Sequence, residues 1–175
     1  MADLILVRYG SVPQVARFQC PETAATPGRS AKVVVETDRG EEIGEVLEIL
    51  KYRPAAEQVV TGAVIRIADS NDLQRFAEHR HRADQSFFDW HACVREWKLE
   101  MELIDLENKL DEKTGLYVVN DRNAETTRLA LLAAATGRGI VIVQPVTADG
   151  VVPLGSGGGG GCGSGGCGSG GCGSH

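Results

Sequence analysis

The chain has 175 residues, 42% of them hydrophobic and 24% charged, with a formal net charge of −6. That is the balance of a globular protein, long enough for one domain or two small ones around a core of ordinary size. No apolar run approaches the length a membrane span needs, and direct nucleic-acid binding is disfavoured because phosphate affinity comes mainly from clustered Lys and Arg.

Asp3 to Tyr9 reads as a first strand. Asp3 stands where a signal peptide carries base, and Leu4 to Val7 is an apolar run too short for one, so the reading is a cytoplasmic protein that begins directly with a strand. Gly10-Ser11 is a turn signal. Val12 to Gln19 reads as the partner strand, with Val15 and Phe18 as core candidates. Pro21 to Arg29, with two prolines and a glycine, reads as loop. Val33 to Val35 is a β-branched run, and Glu42 to Leu50 places Ile43, Val46, Leu47 and Ile49 among polar residues. Asp38-Arg39-Gly40 lies between them, and its glycine can supply the positive φ of a tight turn. Residues 1–60 therefore form an N-terminal β unit, a small barrel-like or curled sheet of four strands.

Ala63 to Ala68 predicts another strand. Asp69 to Lys98 predicts one long helix, with Ser70 and Asn71 as N-cap candidates. Leu73, Phe76, Arg80, Ala83, Phe87, Trp90, Val94 and Trp97 make a stripe along one of its faces. Trp90 and Val94 are expected to face a sheet, although such aromatic residues also serve as interface anchors. Arg80 interrupts the stripe, so its guanidinium must reach water or an acid. Glu102 to Leu110 and Leu116 to Val119 form a hairpin. Asn123 to Thr136 is a second helix closed by Gly137, and Ile140 to Val146 is a last strand. The expected class is α+β, with a β-α-β-β-α-β domain over residues 61–147 and a low-complexity tail over residues 148–175.

Three stretches together carry a family resemblance. They are Thr37-x-Arg39-Gly40-x-Glu42-x-Gly44-x-Val46, the strand Ala63–Ala68 followed by Asp69-Ser70-Asn71-Asp72-Leu73, and Leu99-x-Met101-x-Leu103-Ile104-Asp105-x-Glu107. Over about Leu4 to Thr147 the chain resembles the polymerase-suppressor C-terminal domain family, in its YaaT-like branch of stage-zero sporulation proteins. The resemblance implies a non-enzymatic cytoplasmic scaffold or regulatory protein that acts through small partner proteins. YaaT-like members continue into a segment with adjacent cysteines; this chain carries a different tail.

That tail, Gly155 to His175, contains only Gly, Ser, Cys and one His, a composition that cannot bury a core and reads as disordered in isolation. Cys162, Cys167 and Cys172 recur at a fixed spacing of five. With His175 they match the donor number of a tetrahedral zinc site, and the same set suits part of an iron–sulfur cluster. The alternative function is thus a metal or iron–sulfur module. An unliganded mobile extension is the plainer reading, since ordering glycine is costly.

Elsewhere, Asp105 and Glu107 alternate on one strand with Lys109 beside them. Paired carboxylates suit acid–base work, but the row reads more simply as a solvated sheet face. His79-Arg80-His81-Arg82 is a basic cluster on the long helix, with spacing that makes no metal pair; His91 and Cys93 fail the same test. A solvated helix face is the expectation for all of these. No catalytic signature is present, and no catalytic or cofactor-binding residue is assigned.

Overall fold

The structure, a computed structural model, describes residues 3–21, 26–50, 59–119 and 124–152. It is α+β, with two sheets and two helices among the described residues. The first five strands are β1 (Leu4–Tyr9), β2 (Gln14–Gln19), β3 (Lys32–Thr37), β4 (Gly40–Leu50) and β5 (Gly62–Ile67). They close into a barrel in the order β1-β2-β5-β3-β4, with β4 returning to β1. Closure removes the open edges that a flat five-stranded sheet would expose.

Period-two alternation sends Ile5, Val7 and Tyr9 of β1 inward, where they meet Phe18, Val33, Val35, Val46 and Val64. Tyr9 and Phe18 pack edge to face at 5.2 Å. Two glycines let the strands approach. A Cβ on Gly44 would run into Val7, and one on Gly62 into the Glu36 carbonyl.

Two expectations are corrected here. β5, assigned from sequence to the head of the second domain, hydrogen-bonds within the barrel: antiparallel to β3 and, over Phe18 and Gln19, parallel to β2. Four strands would have left the curled sheet open, and β5 fills the gap. Val15, taken as core, is 54% exposed, because the inward positions of β2 are those in phase with Phe18.

The helix α1 (Ser70–Glu96) follows the barrel. Its N-cap is Asp69, one residue before the two candidates. Asp69 accepts from the Asp72 amide at 2.8 Å, and Asp72 accepts from the Asp69 amide at 3.2 Å, a reciprocal capping box. Asp72 also takes two bonds from Arg66 of β5, at 2.7 and 3.2 Å, which tie helix to barrel. Trp97 closes the helix, and Lys98 turns the chain with φ +53°.

The second sheet runs β6-β7-β8-β9, from β6 (Glu102–Asn108), β7 (Thr114–Val119), β8 (Val141–Thr147) and β9 (Gly150–Val151). β7 and β8 are parallel, joined through α2 (Ala124–Ala135). Ala83, Trp90 and Val94 of α1, with Leu129 and Ala133 of α2, cover the face formed by Leu103, Leu106, Leu116, Val118 and Val141. Trp90 is 6% exposed and lies under the Arg138 guanidinium at 5.1 Å, so this part of the stripe is core. No helix among the described residues is long and apolar enough to cross a membrane.

Candidate functional site

The opposite face of the second sheet meets the barrel at the β3–β4 hairpin. Local chemistry sets that hairpin's shape. Thr37 Oγ1 accepts the Arg39 amide at 3.1 Å, and its one proton faces Glu42 Oε1 at 2.8 Å and the Gly40 carbonyl at 3.0 Å. Gly40 has φ +120°, a region in which side chains are strained. A Cβ there would also stand 2.6 Å from Asp111 Oδ2, in the β6–β7 turn. The Leu110 amide donates to the Glu41 carbonyl at 3.2 Å. Hairpin and turn are thus in direct backbone contact.

Behind this contact lies a buried polar cluster. Arg39, Glu42, Glu107 and Lys109 are 3%, 2%, 6% and 2% exposed. Lys109 Nζ sits between two carboxylates, 2.7 Å from Glu107 Oε2 and 3.1 Å from Glu42 Oε2. Arg39 pairs with Glu42 at 3.1 Å and donates to the Tyr117 hydroxyl at 3.1 Å. That hydroxyl donates to Glu107 Oε2 at 2.8 Å. Gln14, with its amide oxygen turned to the guanidinium, accepts two further bonds from Arg39 at 2.7 and 2.8 Å. Two cations and two anions cancel. Buried charge survives only when paired and hydrogen-bonded, and here all four members are.

Burial first, and then the Glu107 carboxylate, push the Tyr117 hydroxyl far above its ordinary range. Burial likewise raises Tyr9, whose ring lies 5.3 Å from the Arg39 guanidinium. For Arg39 burial opposes the charge, but Glu42 and the surrounding oxygens outweigh it and hold the pKa above the usual arginine value. Both tyrosines therefore stay neutral where the arginine stays charged.

The expectation of a solvated face for Asp105, Glu107 and Lys109 is overturned. The barrel hairpin covers that side of β6, so Glu107 and Lys109 are buried. Asp105 is half-buried and takes a two-pronged bond from Arg80 at 3.0 and 3.1 Å; Arg80 also reaches Asp84 at 2.7 Å. The basic helix cluster divides in the same way. His79 is 2% exposed, and its Nδ1–H donates to the Lys109 carbonyl at 2.8 Å. His81 and Arg82 are exposed as expected. His91 reaches Glu102 at 3.1 Å, and Cys93 and Cys20 are buried free thiols.

Two clefts flank the cluster. One, of about 250 Å³, is lined by Ser11, Phe76, Arg80, Asp105, Glu107 and Asn108. The other, of about 570 Å³, runs from Tyr9, Gln14 and Arg39 to Gln144 and the β8–β9 turn. No group of three or more His, Cys, Asp or Glu among the described residues is arranged to hold a metal ion. The sequence-assigned ligands Cys162, Cys167, Cys172 and His175 lie outside the described residues. Comparison with protein-family models, with curated proteins and with solved structures finds no match.

Proposed function

We propose that this chain is a non-enzymatic cytoplasmic scaffold that acts through protein partners, as its resemblance to the YaaT-like branch of the polymerase-suppressor C-terminal domain family implies. The observation that supports this reading is the use made of the resembling residues. Thr37, Arg39, Gly40, Glu42 and Glu107 meet at one junction, where the charged ones neutralise each other and join barrel to sheet. A general acid or base must be free to exchange its proton with a substrate. Glu107 and Glu42 share Lys109, and Asp105 is held by Arg80. The residues best suited to acid–base chemistry are thus engaged in structure. Affinity capture with the full chain from its native extract should retain specific protein partners. Recovery of none, together with turnover of a substrate by the purified protein, contradicts the reading.

A second reading rests on the repeat of Cys162, Cys167 and Cys172 with His175. These residues supply three thiolates and an imidazole, the donor set of a zinc site or of part of an iron–sulfur cluster. Loading would release protons and weaken as pH falls, because the ligands must be deprotonated. Metal content of the full chain against a chain ending at Leu154 tests it. Equal content in both removes the tail as the site.

A further inference from the structure

Three parts of the fold meet at the smaller of the two clefts that flank the charge cluster. The β1–β2 turn supplies Ser11, α1 supplies Phe76 and Arg80, and β6 supplies Asp105, Glu107 and Asn108. We infer that this cleft, of about 250 Å³, binds a small uncharged molecule that carries a carboxamide on a single ring. Such a site goes beyond the scaffold reading above and does not depend on it.

Two open hydrogen-bonding positions stand side by side there. The Ser11 hydroxyl oxygen is buried and has no hydrogen-bond partner among the described residues. A buried hydroxyl left unpaired costs free energy that a bound polar group recovers. Glu107 offers the second position. Lys109 at 2.7 Å, the Tyr117 hydroxyl at 2.8 Å and the Ser11 amide at 3.5 Å all fall on its Oε2, and Oε1 takes no bond among the described residues. The Ser11 amide contact keeps the two residues adjacent, so a hydroxyl donor stands beside a carboxylate acceptor. A carboxamide presents the complement on neighbouring atoms, a carbonyl oxygen for the hydroxyl and an N–H for Oε1. Phe76 supplies a flat wall. It belongs to the apolar stripe of α1, yet among the described residues it joins neither hydrophobic core and stands half-buried at the cleft. An aromatic ring packs well against such a face.

The charges around the cleft are committed, which disfavours a charged ligand. Arg80 gives Asp105 its two-pronged bond at 3.0 and 3.1 Å, reaches the Leu106 carbonyl at 3.3 Å and pairs with Asp84 at 2.7 Å. Asp105 Oδ1 also takes the Leu106 amide at 2.8 Å. An anion would have to displace a carboxylate from Arg80 and would face the buried Glu107. A cation would bring a third positive charge to Arg39, Glu42, Glu107 and Lys109, whose charges already cancel. Asn108 is likewise occupied, donating to the His79 carbonyl at 3.4 Å and accepting from the Thr114 hydroxyl at 3.1 Å. Small-molecule sites usually enclose about 300–1,000 Å³, so the smaller volume here suits a single ring.

The test titrates the full chain with three probes of one shape, benzamide, benzoate and benzamidinium, followed by ligand-observed NMR. Saturable binding of benzamide is expected, with each charged probe weaker by roughly tenfold or more. S11A should weaken benzamide roughly fivefold, the worth of one hydrogen bond. Its melting temperature should not fall, because the hydroxyl it removes bonds to nothing among the described residues of the free protein. F76L should weaken benzamide by a similar factor through loss of the ring contact. Absence of saturable benzamide binding overturns the inference, and so does a charged probe that binds as tightly as benzamide. Unchanged benzamide binding in either variant places the probe elsewhere and overturns it too. Capture of protein partners is a separate readout, so failure here leaves the scaffold reading standing.

Discussion

Replacing Lys109 by methionine removes one of the two cations from the buried junction while nearly keeping the side chain's length. The ammonium is 2.7 Å from Glu107 and 3.1 Å from Glu42, and the residue is 2% exposed. After the change Glu107 keeps the Tyr117 hydroxyl, and Glu42 keeps Arg39 and Thr37, but one negative charge is left without a counter-ion away from water. Breaking a buried pair from one side costs about 3–5 kcal/mol, against about 0–1 kcal/mol for a solvent-exposed pair. Against a total stability of about 5–15 kcal/mol, that is a large fraction. For a chain of this length it corresponds to a fall in melting temperature of roughly 6–20 °C. Urea unfolding followed by tryptophan fluorescence measures the loss directly. Adding Glu107→Gln removes the stranded charge and still accepts from Tyr117, so the double variant should recover about 1 kcal/mol or more. A loss below about 1 kcal/mol for Lys109→Met alone would show that water reaches the cluster, and would refute the buried-junction reasoning.

Three further outcomes are expected. Trp90→Ala empties a core position under Arg138 and should cost about 3–5 kcal/mol in the same unfolding assay; a loss below about 1 kcal/mol would put the ring at a surface. Tyr117→Phe should cost about 1–3 kcal/mol at neutral pH, since it removes the hydroxyl that accepts from Arg39 and donates to Glu107. Because the folded hydroxyl titrates well above the unfolded value of 10.0, its contribution is complete below that pH and is lost as pH rises, so stability measured against pH should fall less steeply on the alkaline side in this variant. Asp72→Asn should cost about 0.5–2 kcal/mol at pH 7 through the weakened cap and the bond to Arg66. Arg66 first, and then the capping amide, lower the folded Asp72 pKa below the unfolded value of 3.8. That contribution is present above the unfolded value and lost as pH falls through the folded one, so the gap between wild type and variant should close below about pH 4.

The sequence made local structure legible where one segment carried its own signal. The Asp38-Arg39-Gly40 turn, the helix from the Asp69 region and the burial of Trp90 and Val94 all follow from nearby residues. β5 was misplaced because a strand's hydrogen-bond partner is a non-local choice, and Ala63–Ala68 has the same composition in either sheet. The candidate site failed for a related reason. Glu107 and Lys109 alternate as a solvated face would, and only docking of a hairpin some 65 residues earlier in the chain, from Glu42 to Glu107, turns that face inward. The one local hint was the motif itself. Thr37, Arg39 and Glu42 place three polar groups beside a glycine turn, more than a hairpin needs for its own sake.

The buried charges join barrel to sheet, and under the proposed function they perform no chemistry. The most direct measurement compares partners captured by the wild-type chain with those captured by the folded Glu107→Gln/Lys109→Met double variant. The same partners in the same proportions are expected, because neutralising one anion and one cation leaves both the barrel and the outer surfaces in place. A double variant that still folds and unfolds cooperatively, yet loses every partner or loses a measurable turnover, would contradict it.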